Sequence, residues 1–556
     1  MNASNLRWWG WGTTDQSCSL ESQPDLWAVL RSELALADEI PAHRPMPLES
    51  VNLRPPRLDD PVLSSLRRLL GEETVRTDRQ ARAEHACGKS YRDLLRLRAG
   101  RIDNPPDAVI YPASEGQVAA AVSWAAERDI AIVPFGGGSS VLGGVETAPG
   151  PRPSITLDLG RLNQVVSVDQ TTWISRIQAG IRGPELEEAL NAHGFTLGHF
   201  PQSFEFSTLG GWIATRSVGQ ASSGYGTIED LTQAIRLVAP TGIVESMDTP
   251  ITSTVPDLLS VVVGSEGQYG VITEASMRVR PLPEIQDYRG FLFHHLSDGL
   301  SALRTLIQQG PRPTIARLSD AAETTLFATI SHERNGLRAL VVRGLETYLT
   351  LKGHSFTGGN CLLILGYDGK ADPVQKAWQQ AATICQDHRG ASLGRTTAET
   401  WKRTRFRPPY LRDALLDRGI MVGSLVTAAP WPQLERLYED VTVAVQAAIR
   451  ATGGGPGHVL AHLTHVCEMG ASIRMTFLGH QVPGQEIKQW WAVKQAAQET
   501  IRSAGGRTSH HHGMAWDEAP RVTREIGPVG VTILRNLKQS IDPTEIMNPG
   551  VRIPSA

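Results

Sequence analysis

Cysteine is scarce and scattered. Cys18, Cys87, Cys361, Cys385 and Cys467 are the five in 556 residues, and no two form a CxxC pair. That excludes a disulfide framework and a thiolate zinc site, and it fits a reducing compartment. A surplus of basic charge is missing too: 54 Lys plus Arg stand against 57 Asp plus Glu, for a formal net charge of -3. Nucleic acid is therefore not expected as a partner. No uninterrupted apolar stretch approaches the roughly 20 residues that cross a bilayer, so no transmembrane segment is expected. The opening MNASNLRWWGWG lacks the basic segment and apolar core of a secretory signal, and the expected location is cytoplasmic. Internal repeats and low-complexity tracts are absent, and 41% hydrophobic with 20% charged residues suits a globular chain.

A chain this long exceeds one ordinary core, so several domains are expected. Residues 1–85 mix tryptophan, proline and arginine without strand periodicity and read as a partly helical N-terminal appendage. From about residue 105 the pattern sharpens. DAVIYPAS reads as a short buried strand, SEGQVAAAVSWAAERD as a helix with Ser114 and Gln117 at capping-box spacing, and IAIVPF as a second strand. That β-α-β order predicts a parallel element. The strands SITLDLG, VVSVDQ, ISRIQAG, AIRLVAPTG and GVITEASMRVRPLP follow, with the helix PELEEALNAHG among them. Pro281 and Pro283 mark the exit from a domain spanning 86–284. Residues 285–500 alternate helices such as PVQKAWQQAATICQDHRG with strands such as CLLILGYDG and ASIRMTFLG, a second α+β domain. The segment 501–556 reads as a helix stopped at Asp542-Pro543 and a terminal turn, and the fold class is α+β.

The clearest chemical signal is VPFGGGSSVLGG at 133–144, where a strand runs straight into Gly136, Gly137 and Gly138 and then Ser139 and Ser140. Glycines let successive amides point one way and form an anion-binding concavity. A P-loop would need Lys after its last glycine, and the Rossmann fingerprint needs glycine where Val141 stands. Alone, such a loop also reads as a tight turn. Two further glycine- and hydroxyl-rich segments, TLGHFPQSFEFSTLGGWIATRSVGQASSGYG at 196–226 and GSEGQYGVIT at 264–273, weigh against that reading.

Together these segments resemble the vanillyl-alcohol-oxidase superfamily of FAD-binding flavoproteins and, within it, the alkyldihydroxyacetonephosphate synthase family. The similarity runs in order through RWWGWG, PFGGGSSV, GHFPQSFEFSTLGGWIATRSVG, YGTIEDL, GSEGQYGVITEA, PPYLRD, TAAPW and SHHHG. It implies a two-subdomain FAD-binding domain, an α+β cap over the flavin, and a C-terminal segment returning to the flavin site. It places cofactor contacts at Pro134, Phe135, Gly136, Gly137, Gly138, Ser139 and Ser140. It adds Gln202, Ser203, Phe204, Glu205, Phe206, Ser207 and Thr208, with Thr215, Arg216, Ser217 and Val218 beyond them. The last group it implies is Glu266, Gly267, Gln268, Tyr269, Gly270, Val271 and Ile272. No histidine or cysteine lies within 133–144, so FAD is expected to be held noncovalently.

The resemblance further implies that the flavin acts as a nucleophile rather than a redox shuttle, exchanging the fatty acid of an acyl dihydroxyacetone phosphate for a fatty alcohol. It puts His510, His511 and His512 of SHHHG on the substrate side, where imidazoles can move protons or hold an anion. It sets Arg412 of PPYLRD against phosphate or carboxylate. Read from the residues alone, both stay open. Adjacent strand residues cannot all face one way, no HExxH completes a metal site, and Arg412 has Asp413 beside it as a salt-bridge partner.

The chain departs from the family at Cys467, where the family carries a tyrosine acid-base, and at Arg474, where it has a further aromatic. Three readings compete: Cys467 acts with Glu468 adjusting it, the base has moved to the histidines of an oxidising enzyme, or the segment is an inert core strand. Arg403, Arg405 and Arg407 read either as an entrance for anions or as a solvated charged face. The reading carried forward is an FAD-dependent oxidoreductase acting on a small anionic substrate beside the flavin N5. Its catalytic candidates are His510, His511, His512, Arg412 and Cys467, with no metal. The alternatives are a redox-neutral alkylglycerone-phosphate synthase and a catalytically inert flavin-binding scaffold. A homodimer is the one protein partnership left open.

Overall fold

The β-α-β unit predicted at 105–135 forms, with the helix Glu115–Ala126 joining the strands Ala108–Ile110 and Ala131–Phe135. The two strands are not neighbours, however. Ser154–Asp158 lies between them, parallel to both, and Val75–Arg76 closes the far edge antiparallel. The computed structural model describes residues 6–14, 20–21, 23–37, 40, 43–249, 257–331, 353–357, 359–507, 522–549, 551 and 553. Ser114 caps the helix by accepting the Gln117 amide at 3.2 Å, while the Gln117 side chain accepts from Ala113 rather than from Ser114. The reciprocal half of the expected capping box is thus displaced by one residue.

A second, wholly antiparallel sheet runs in the order Val165–Asp169, Ile174–Gln178, Val271–Arg278, Thr232–Ala239, Gly242–Glu245. Both sheets share one core, in which Ile132, Leu157, Ile177, Leu186, Leu237 and Ala275 are fully buried.

The second domain is a seven-stranded antiparallel sheet. Its order is Ala391–Gly394, Ile285–Phe293, Cys361–Gly369, Ile315–Ser319, His458–Val466, Gly470–His480, Ile420–Pro430. The helices Leu296–Gln308, Ala371–Asp387, Trp431–Ala451 and Glu486–Ser503 contribute to the hydrophobic core on one side of it. Along Trp431–Ala451 the buried positions Leu434, Leu437, Val441, Val445 and Ile449 recur at helical spacing. Each such burial contributes about 1.5–3 kcal/mol. Because strand residues alternate, the opposite side of the sheet is left for other work.

The stretch 1–85, expected as one appendage, is divided between the domains. The helix Pro24–Leu34 packs Leu26, Leu30 and Leu34 against Leu415, Ile420 and Leu478 of the second domain. The helix Asp60–Leu70, capped by Asp59, instead buries Leu63, Leu66 and Leu70 in the core of the first. The helix Val522–Ile541, kinked at Gly527 ahead of Pro528, brings the chain back to the first domain. There Ile132 donates its amide to the Ile546 carbonyl at 2.7 Å, and Asn548 donates to the Ile132 carbonyl at 2.8 Å.

Candidate active site

Three sequence segments that look unrelated along the chain are packed against one another beside the end of Ala131–Phe135. A Cβ on Gly136 would strike Thr208 Oγ1, and one on Gly137 would strike the Phe206 carbonyl oxygen. Gly138 takes a φ of +62°, where a side chain is strained. The loop 136–138 therefore needs glycine for contact as well as for turning. A Cβ on Gly267 would lie 3.0 Å from Pro134 Cγ, so the third segment braces the loop from behind. Asn548 ties the assembly together, donating from Nδ2 to the carbonyls of Gly144 at 3.0 Å and Glu266 at 2.7 Å. Lys538 donates to the carbonyls of Gln268 and Met547 and to Asp542, each at 2.6 Å.

None of the amides of residues 136–139 donates to an acceptor among the described residues. Four successive uncovered amides beside glycines form a nest for an anion, and a diphosphate is the group such a nest suits. Ser140 is used differently. Its hydroxyl accepts the Gly144 amide at 2.9 Å and its carbonyl accepts the Lys89 amide at 2.6 Å, which closes the far end of the loop.

These residues line a cavity of about 260 Å³ that runs from the glycine loop to the second domain's sheet. Gln202, Ser203, Ser207, Thr208, Thr215, Ser217 and Val218 reach it, as the sequence led us to expect. Phe204 faces a separate cleft, Glu205 accepts a hydrogen bond from the Tyr410 hydroxyl at 2.8 Å, and Phe206 packs against Trp11. Arg216 points to Glu229, and the run Glu266 to Ile272 stands behind the loop rather than on the cavity wall. Ser217 receives support from His199, whose Nε2 is 3.2 Å from its hydroxyl and whose imidazole burial pushes down to about 3.

Arg412 lines the same cavity, carried by the helix Pro408–Asp417. Its Nη1 donates to the Lys89 carbonyl at 3.3 Å, and its Nε is buried without a partner. Burial lowers its pKa, with Asp413 opposing that shift. The salt bridge to Asp413 weighed from the sequence does not form. Asp413 instead accepts the Trp11 amide at 2.7 Å and lies 3.8 Å from Arg98. The RWWGWG segment is thereby explained: Arg7 and Gly12 close a turn at 2.9 Å, Gly10 presses on Asp413, and Trp11 enters the cavity wall.

Cys467 is not brought to this cavity. It sits on the hairpin turn before Gly470–His480, where its amide donates to the Gly470 carbonyl at 2.9 Å and its own carbonyl accepts from Trp431 Nε1 at 3.2 Å. The register explains the difference. The turn is at the strand's end, whereas Arg474 and Thr476, further along, project onto the cavity beside Ser424. In the sequence Arg474 reads only as a departure from the family. Its alternation with Thr476 was the signal that could have placed it. Arg405 lines a different cleft, of about 520 Å³, together with Phe200 and Phe204. His510, His511 and His512 lie outside the described residues.

Residues 106–248 match the FAD binding domain family, and residues 282–551 match the family of C-terminal domains of FAD linked oxidases. Fold and site together thus define a two-domain FAD-dependent enzyme. The chain is 32% identical over 99% of its length to alkyldihydroxyacetonephosphate synthase of Dictyostelium discoideum, covering 94% of that protein. A solved alkyldihydroxyacetonephosphate synthase structure superposes with a TM-score of 0.86 at 30% identity, over 99% of this chain and 98% of that one. An FAD-linked oxidoreductase of Escherichia coli (strain K12) is 27% identical over 89% of this chain and 98% of its own. The chain belongs to the alkyldihydroxyacetonephosphate synthase family. The α+β class and the FAD cofactor expected from the sequence are borne out. No described helix is long and apolar enough to cross a membrane.

Proposed function

We propose that the enzyme oxidises a small substrate bearing a carboxylate or phosphate, at a carbon that carries a hydroxyl or amine. The observation that carries this reading is Arg412: a half-buried guanidinium on the cavity wall whose one hydrogen bond among the described residues goes to a backbone carbonyl, with no described carboxylate paired to it. A guanidinium so placed suits bidentate recognition of an anion. FAD held here supplies a two-electron acceptor for a carbon–hydrogen bond. The chain's own part is to hold the diphosphate noncovalently on the amides of 136–139, to orient the substrate through Arg412, and to exclude water with Trp11 and the cap sheet. A proton released from the substrate hydroxyl goes, in this reading, to His511 or His512, an assignment that rests on the sequence resemblance alone. A cytoplasmic setting is supported by the four described cysteines, all unpaired.

A second reading, redox-neutral exchange of acyl for alkoxy, is favoured by the full-length identity to alkyldihydroxyacetonephosphate synthase. Against it, no tyrosine lines the cavity among the described residues. Anaerobic mixing with a panel of hydroxy acids, amines and phosphorylated alcohols separates the two. Loss of the yellow flavin absorbance is expected. Alkoxy exchange on acyl dihydroxyacetone phosphate, with no net change in the flavin's redox state and bleaching by none of the panel, would establish the second reading instead. Inertness in both assays would leave a scaffold.

A further inference from the structure

We propose that Arg474 is a second anion clamp, so that the substrate held beside the flavin carries two anionic groups. The inference rests on the proposed function in taking Arg412 as the first clamp, and it adds the class of substrate: a dicarboxylate or a phosphorylated carboxylic acid.

Arg474 is set in the middle of Gly470–His480, with Val426 as cross-strand partner on one side and His462 on the other. Alternation puts it on the same side of the sheet as Thr476 and Ser424, and all three line the cavity that Arg412 also lines. No hydrogen bond or ion pair joins Arg474 to any described residue. Burial, with Arg317 and Arg412 nearby, lowers its pKa to about 10, so it still carries its charge at neutral pH.

The carboxylate whose charge reaches Arg474 is Glu323, and it is already taken. Glu323 Oε1 accepts from Arg317 Nη2 at 3.0 Å and lies 2.9 Å from His462 Nδ1. Burial would raise its pKa, but Arg317 and His462 outweigh that and hold it well below the usual carboxylate range. His462 is pushed down to about 4, chiefly by burial, and is neutral near pH 7. The charges of Arg317 and Glu323 therefore cancel as a pair. Among the described residues, Arg412 and Arg474 are left as two cations facing one cavity with no paired carboxylate. Both guanidinium groups are half-buried on the cavity wall, and a ligand with two anionic ends neutralises both.

The rival role for Arg474 is service to the cofactor itself. The test uses flavin-loaded enzyme and a ruler of ligands, oxalate, malonate, succinate and glutarate, each compared with the monocarboxylate of equal length by titration of the flavin absorbance. At one length the dicarboxylate is expected to bind at least about tenfold more tightly than its monocarboxylate. Arg474→Gln should bring that advantage to within about twofold while keeping flavin and monocarboxylate binding, and Arg474→Lys, which keeps the charge, should retain part of it. Absence of an advantage at every length overturns the proposal. So does an Arg474→Gln enzyme that keeps the advantage, or one that loses flavin while Arg474→Lys holds it. Unchanged monocarboxylate binding in Arg412→Gln would instead defeat the first clamp, and with it the proposed function.

Discussion

Gly137 approaches Phe206 so closely that a Cβ on the glycine would collide with the phenylalanine's backbone carbonyl oxygen. The glycine loop and the second flavin segment thus lock through main chain, and relief requires one of them to move. Overpacking of this kind costs about 1–3 kcal/mol. Gly137→Val is therefore expected to weaken flavin binding at least about tenfold and to yield colourless protein. The flavin-to-protein ratio after purification and after reconstitution checks this, and full occupancy would count against the diphosphate assignment.

Asn548 holds two carbonyls from two different loops. Asn548→Ala removes both hydrogen bonds, at a cost of about 1–3 kcal/mol. Flavin release on heating should shift to lower temperature in this variant although residue 548 lies far from the loop in sequence. An unshifted release curve would mean that the C-terminal return does not support the site.

The buried imidazole of His199 links pH to the flavin site. Burial pushes it down to about 3 from an ordinary 6.5, so its contribution to stability is complete above about 6.5 and is lost as pH falls towards 3. At about pH 5 the deficit from this group is about 2 kcal/mol. Urea-induced flavin release should therefore come at lower urea at about pH 5 than at about pH 7, with a smaller difference in His199→Gln. Equal pH dependence in both proteins would remove His199 from the account.

Cys467 and the histidine run give opposite expectations. Cys467→Ser should leave kcat/KM within about twofold, because the hairpin turn is outside the cavity. His511→Ala and His512→Ala should retain flavin while turnover falls by roughly a hundredfold. Steady-state kinetics on flavin-loaded variants decides each. A crippled Cys467→Ser enzyme or normally active histidine variants would reverse the assignments.

Much of this was legible in the residues, for physical reasons. The strand Ala131–Phe135 running into Gly136 announced an anion nest because only glycine leaves amides so uncovered. Helix Glu115–Ala126 was readable from Ser114. The strands His458–Val466 and Ile420–Pro430, which flank Gly470–His480, are not legible in the sequence, since each is buried on much of both faces and shows little alternation. The division of residues 1–85 was hidden because Leu66 and Leu30 look alike in sequence and differ only in which core receives them. Arg474 is not legible as a site residue because strand register, which the sequence does not display, decides which position of the segment reaches the cavity.

The most direct test compares wild-type enzyme with Arg412→Gln, both fully loaded with FAD and mixed anaerobically with an anionic substrate that bleaches the wild type. The variant should keep its flavin yet need about a hundredfold more substrate for half-maximal bleaching, as expected for losing a charge-assisted bidentate contact. Bleaching with an unchanged dependence on substrate concentration would contradict the claim that Arg412 holds the substrate's anion beside the flavin.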